Sequence, residues 1–150
     1  NLATCSGDQI TNIYTAETHF VLRPNFPLYQ PFPAHCTGTG RVFLSHMSEA
    51  AQKWVYENSV GTIGMTQEEF LALLRKAKKD GYARDDQAFN AGLRCVAAPI
   101  YLGGGKLLFA LSISAPTARM DDAAYENARK LVLKYAELIS QEIQSVEFRF

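Results

Sequence analysis

Three places in the chain combine residue types and spacing suited to handling a small molecule. The first is His35-Cys36-Thr37-Gly38-Thr39-Gly40-Arg41-Val42, where a proline-rich stretch gives way to helix-forming sequence. Backbone N–H groups at a helix start lack intrahelical partners and lie at the positive end of the dipole, so they suit a carboxylate or phosphate. Glycine at 38 and 40 leaves that backbone unobstructed in front of a ligand. A Gly-Lys-Ser/Thr ending is missing, so nothing here indicates P-loop nucleotide hydrolysis. The same residues also describe a plain N-cap and turn.

The second place is the run Lys106 to Ser114, read as a strand. Alternation sends Leu111 and Ile113 to one face and Ala110, Ser112 and Ser114 to the other. In the preceding run, Cys95, Ala97 and Pro99 alternate against Val96, Ala98 and Ile100. Small and hydroxyl residues therefore gather on one surface of a sheet. They either line a cavity or let a helix pack closely, and both readings stay open at this level. The third place is Gly81-Tyr82-Ala83-Arg84-Asp85-Asp86-Gln87, read as a loop. Asp85 can accept hydrogen bonds from a ligand there, although an Asp pair in a loop also describes a solvated turn.

Metal and nucleophile chemistry find less support. His19, His35, His46 and the three cysteines show no C-x-x-C or H-x-x-x-H spacing, so no metal and no cofactor is expected. A cysteine nucleophile needs a base beside it. Spacing supplies none for Cys36 or Cys95, which read as small buried hydrophobes.

The elements that must position these residues run in a simple order. Leu2–Ser6 and Gln9–Thr18 form two strands joined at Gly7-Asp8. Pro24, Pro27, Pro31 and Pro33 exclude a helix between them and mark a loop or extended edge rich in Phe and Tyr. Helices follow over Gly40–His46 and Ser48–Glu57, the latter contributing Trp54 and Val55 as apolar contacts. Thr66-Gln67-Glu68-Glu69 is a capping box that opens a helix with Phe70, Leu73, Leu74 and Ala77 on one face, ended by Gly81. Arg94–Leu102 and Lys106–Ser114 make a hairpin across Gly103-Gly104-Gly105, and a long helix starts near Asp121-Asp122. Strands, helices, a hairpin and a closing helix indicate an α+β domain with an antiparallel sheet covered by helices.

At 150 residues the chain is read as one domain, 1–150, with a real core. Fifteen Lys and Arg balance fifteen Asp and Glu, so no global field draws this piece to DNA or an anionic membrane. No apolar run approaches the roughly 20 residues of a membrane span, and no signal peptide is visible. Three cysteines at wide spacing fit a reducing cytoplasm better than a secreted disulfide scaffold. The chain opens at Asn1 without Met and enters strand-like sequence almost at once, so it is expected to begin inside a longer protein.

The motifs HCTGTGRVFLSHMSE, DGYARDD, GLRCVAAPIY and LSISAP, in that order, resemble the effector-binding domain of the IclR family of bacterial transcription regulators. The resemblance runs from about Phe32 to Gln144 and less distinctly back to Leu2. It implies a GAF-like fold, an antiparallel sheet flanked by helices around one effector pocket, which takes a small organic acid. The effector carboxylate would meet the backbone of Gly38 and Thr39. Asp85, Cys95, Ser112 and Ser114 would face it as polar groups, with Leu93 and Phe32 as apolar walls. The family's winged helix-turn-helix would lie upstream of Asn1, so DNA would be bound only through that missing part, by a homodimer or homotetramer. The chain departs from the family pattern at Gln87 and Ala88, where acidic residues are common, and over Asn58 to Met65, which carries no family signature. Two alternatives stand beside this reading: a cysteine-dependent reductase on a GAF-like fold, and an oligomerisation module without a ligand.

Overall fold

The computed structural model describes residues 1–60 and 64–146, and the side chain of Val60 is outside that description. Its strands are β1 (Leu2–Ser6), β2 (Gln9–Tyr14), β3 (Pro31–Pro33), β4 (Ala83–Asp86), β5 (Leu93–Tyr101) and β6 (Leu107–Pro116). Its α-helices are α1 (Gly38–Leu44), α2 (Glu49–Val55), α3 (Gln67–Asp80) and α4 (Asp122–Ser145). The strands form one antiparallel sheet in the order β3-β2-β1-β6-β5-β4. The first and last hairpins thus meet at the sheet centre, where β1 pairs with β6.

Alternation along the central strands gives the sheet two apolar faces. Ala97 and Ala110 join Ile10 and Ala83 under α1, α2 and α3, with Val42, Leu44, Val55, Phe70 and Leu74. Val96, Ala98, Ile100, Leu111 and Ile113 face α4, meeting Tyr125, Ala128, Val132 and Ala136. α4 buries the stripe it does because Tyr125, Ala128, Val132 and Ala136 recur at three- and four-residue intervals. The architecture is α+β, as expected.

Local chemistry sets the helix boundaries. In the capping box, Glu69 N–H donates to Thr66 Oγ1 at 3.3 Å and Thr66 N–H donates to Glu69 Oε2 at 2.7 Å. Gly81 then ends α3 at φ 76°, a left-handed conformation that costs glycine nothing. Between β5 and β6, Gly103–Gly105 makes a single 3-10 turn with positive φ at Gly104 and Gly105.

β5, β6 and the end of α1 differ from the sequence reading by one or two residues, and four differences bear on the argument. β2 stops at Tyr14 rather than Thr18, and α1 begins at Gly38 rather than Gly40 because Thr37 serves as its cap. α2 ends at Val55 and continues as a π-helical turn over Tyr56–Val60; Val55 is buried but Trp54 is exposed. Ala83–Asp86 is an edge strand, not a loop. Of the Asn58–Met65 stretch, residues 61–63 lie outside the described residues. Among the described residues, no helix is long and apolar enough to cross a membrane.

Candidate functional site

Strand register builds the polar side of the site. Asp85 lies opposite Cys95, and Cys95 opposite Ser114, so the three form one row across β4, β5 and β6. The next row is Ala83, Ala97 and Ser112. Side chains two apart in a strand share a face, so both rows look toward α1. The choice left open between packing and cavity resolves by position. Ala83 and Ala97 belong to the core beneath the helices, whereas Ser112 and Ser114 border an open space.

The opposite side is the start of α1. The Thr37 hydroxyl accepts from Gly40 N–H at 3.1 Å, and the Thr37 carbonyl accepts from Arg41 N–H at 2.9 Å. Among the described residues, the amides of Gly38 and Thr39 donate to no protein acceptor. These are the orphan donors that a capped helix start leaves. The two glycines serve a different purpose from the one expected of them. A Cβ on Gly38 would lie 3.1 Å from Cys95 Sγ, and one on Gly40 would lie 2.1 Å from the Ala34 carbonyl oxygen. The room left by the missing side chains is filled by protein atoms, because α1 sits hard against β5 and its own entry turn.

Between these two sides is a small cavity, partly open to solvent, whose empty space of about 350 Å³ includes the solvent at its mouth. Gly38, Thr39, Asp85, Leu93, Cys95, Ser112, Ser114 and Phe32 all line it, so the structure brings together the eight residues that the resemblance implied for the pocket, whereas His35, Cys36, Gly40 and Arg41 of the same helix-start motif do not line it. Asn1, Ile10, Asn12, Phe26, Thr37 and Phe89 line it too, and sequence reasoning missed them as wall residues. Asn12 had a signal: it shares the inward parity of Ile10 in a strand, where Asn is disfavoured. It is 4 % exposed. Phe26 and Phe89 had none, because each lies in a non-repetitive segment. They close on Phe32, whose ring centre is 6.1 Å from Phe26 and 5.7 Å from Phe89, both edge-to-face.

Among the described residues, no Lys or Arg lines the cavity. The nearby positive charge is Arg41, buried in α1, where Nε donates to the His35 carbonyl at 3.0 Å and Nη1 to the Arg84 carbonyl at 2.7 Å. Asp85 is 1 % exposed, and Oδ1 accepts from the amides of Ala88 and Phe89 at 2.7 and 3.3 Å. Burial pushes its carboxyl above the ordinary range, against the pull of those amides and of Arg41. Behind the row, the Tyr125 hydroxyl lies within hydrogen-bonding distance of the Asp85 and Cys95 carbonyls, at 3.1 and 2.9 Å. This ties α4 to the strands that carry the site.

Burial also raises the thiols of Cys95 and Cys36, the reverse of what a nucleophile needs. Burial lowers His35, whose Nδ1 is a buried atom without a hydrogen-bond partner, but His35 is not a wall residue of the cavity. No group of three His, Cys, Asp or Glu among the described residues is arranged to hold a metal ion. The arrangement is one of binding: free amides facing hydroxyls and one carboxyl across a partly apolar enclosure.

Comparison with known proteins gives this arrangement a context. The profile described as "Bacterial transcriptional regulator IclR C-terminal" matches residues 1–141. The HTH-type transcriptional regulator BhcR of Paracoccus denitrificans is 30 % identical over 145 residues, covering 93 % of this chain and 52 % of that protein. The chain spans about half the length of the curated relatives it matches. A transcriptional regulator from Rhodococcus sp. RHA1 superposes with a TM-score of 0.88 at 23 % identity, over 96 % of this chain and 60 % of that one. An IclR homologue from Microbacterium hydrocarbonoxydans, solved in complex with 4-hydroxybenzoate, superposes with a TM-score of 0.83 at 21 % identity, over 97 % and 60 %. At these identities the two structures share the fold.

Proposed function

The chain belongs to the IclR family of bacterial transcriptional regulators, as its C-terminal domain, and from that premise we propose that the cavity is its effector site. The family is regulatory rather than enzymatic, as its curated relatives are. The observation that carries the reading is the pairing of two partnerless amides, Gly38 and Thr39, with the Asp85–Cys95–Ser114 row across one small enclosure.

The effector is a small organic acid. Its carboxylate accepts from the Gly38 and Thr39 amides, which replace a cationic side chain at the positive end of α1. Ser112 and Ser114 offer hydroxyls to oxygens on the remainder of the molecule, and Asp85 accepts from a hydroxyl. Leu93, Phe32 and the two other phenylalanines exclude water around its apolar part. Residues 1–150 form the effector-binding domain, and DNA is read by a winged helix-turn-helix upstream of Asn1. The full protein works in the cytoplasm as a homodimer or homotetramer. An effector that binds one arrangement of that oligomer better than another shifts its population and so changes operator binding.

The test is a melting-temperature screen of the domain against glyoxylate, pyruvate, gluconate and 4-hydroxybenzoate. A ligand at 100 times its Kd stabilises the fold by about 2.7 kcal/mol. A shift with one acid class that disappears in Ser112→Ala/Ser114→Ala supports the reading. A shift that survives the double substitution places the ligand elsewhere.

A further inference from the structure

One wall of the cavity belongs to a segment that the rest of the protein holds at few points. Residues 15–30 join β2 to β3 without a helix or strand of their own, a length at which loops in compact domains usually serve a function. Both ends are tied to the sheet: Thr15 Oγ1 donates to Asn1 Oδ1 at 2.9 Å, and Tyr29 N–H donates to the Asn12 carbonyl at 2.9 Å. Between those ties, the hydrogen bond that reaches out of the segment comes from Arg119, among the described residues. Its Nη1 donates to the Leu22 carbonyl at 2.6 Å, and its guanidinium stands 4.2 Å from the centre of the Phe20 ring. Otherwise the middle of the strap stands in solvent, with Phe20, Val21 and Leu22 exposed at 57, 98 and 66 %.

A wide groove lies under the strap, walled on the far side by β6 and α4 through Ile113, Tyr135 and Ile139. Groove and cavity meet, because Asn1, Phe26, Ser112 and Ser114 line both. Ser112 and Ser114 are fixed in β6, and Asn1 exchanges backbone hydrogen bonds with Ser112, each 2.8 Å long. Phe26 alone of the four sits on a segment outside the sheet, so displacing it would break no strand pairing. Its ring rests edge-on against Phe32 and tilted against Phe89, contacts that part without leaving a polar group unpaired.

We propose that the strap is the gate of the cavity: Phe26 is the partition between cavity and groove, and Arg119 is the latch that holds it closed. Ligands enter along the groove under the strap. Arg119 lies in the turn Thr117–Arg119 between β6 and α4, so the closed gate is fastened to the start of the long helix. The gate takes its purpose from the effector reading, but access to the cavity is measured without any effector.

The probe is iodoacetamide, with alkylation at each cysteine followed by peptide mass spectrometry. Cys95 lies in the cavity wall, whereas Cys36 is buried outside it and reports general loosening. Arg119→Ala should speed alkylation of Cys95 by about tenfold, the population change expected from losing one hydrogen bond to a charged group, and leave Cys36 unchanged. Phe26→Ala should speed Cys95 at least as much, and adding Arg119→Ala to it should change nothing further. An unchanged Cys95 rate in both variants overturns the proposal, and so does a parallel rise at Cys36. Faster Cys95 alkylation in a protein that binds no acid would keep the gate and remove the effector reading. Acid binding with unchanged alkylation would do the reverse.

Discussion

Gly38→Ala is the smallest change that probes how tightly α1 is seated on the sheet. The new Cβ would stand 3.1 Å from Cys95 Sγ, while its next neighbours, Ala97 Cβ and the Cys95 carbonyl, lie at an ordinary 3.6 Å. A single atom therefore carries the conflict. Ordinary contacts lie near 3.5–4.0 Å, so the helix or the thiol must give by several tenths of an ångström. Cys95 is buried against α1 on the side facing Gly38, and overpacking of this kind costs about 1–3 kcal/mol. The helix preference of Ala over Gly returns up to about 1 kcal/mol. The net loss is about 1–2 kcal/mol, or roughly 2–8 °C in Tm for a domain of this size. Cys95→Ala removes the offending sulfur and alone costs about 1 kcal/mol for the small void it leaves. In the double variant the new methyl occupies that void, so Gly38→Ala becomes neutral or stabilising on the Cys95→Ala background. Gly40→Ala has no such remedy, because its Cβ would meet the Ala34 backbone at 2.1 Å. Urea unfolding of the two single variants and the double variant measures the coupling as a double-mutant cycle. Additive losses, or a Gly38→Ala variant as stable as its parent, would refute this account of the α1–β5 contact.

Three further outcomes follow from the site and its supports. Burial raises the Asp85 carboxyl, so its contribution to stability is greatest below the ordinary carboxylate value of 3.8 and is lost as pH rises through the raised folded value. Asp85→Asn should remove that dependence, and unfolding of parent and variant between pH 3.5 and 7 should show the variant gaining relative stability as pH rises. Ser112→Ala/Ser114→Ala should weaken acid binding by about tenfold or more, as two hydrogen bonds of about 1 kcal/mol each are lost, with calorimetry as the readout and unliganded Tm moving by only a few degrees. Thr66→Ala breaks a capping box far from the cavity and should cost about 1 kcal/mol in unfolding experiments without changing the Kd for any acid.

What could be read from the sequence was what short-range chemistry decides. The Thr66–Glu69 box, the Gly81 terminator, the Gly103–Gly105 turn and the parity of Ser112 with Ser114 depend on neighbours a few residues away. The boundary of α1 was less legible, since Thr37 and Thr39 are both fair caps and glycine argues for a late start. Packing decides it, because only glycine at 38 and 40 admits Cys95 and Ala34 so close. β4 was illegible for a related reason: Ala83-Arg84-Asp85-Asp86 has no β-branched or aromatic residue. It is a strand because β5 offers an edge, Arg94 grips Asp86 at 2.9 and 3.1 Å, and the Tyr125 hydroxyl reaches the Asp85 carbonyl. Phe26 and Phe89 could not be placed in the wall because segments without periodicity carry no record of where they lie. Asn12 could have been found from its parity with Ile10.

The central claim is that the helix-start amides and the serine row hold one small acid between them. Backbone amide NMR on the 15N-labelled domain, titrated with the acid that raises Tm most, addresses it directly. The account predicts that Gly38, Thr39, Ser112 and Ser114 shift most and saturate together at one Kd, with the Gly38 and Thr39 protons moving downfield as they engage a carboxylate. Saturating shifts confined to the outer face of α4, with these four residues unmoved, would contradict it.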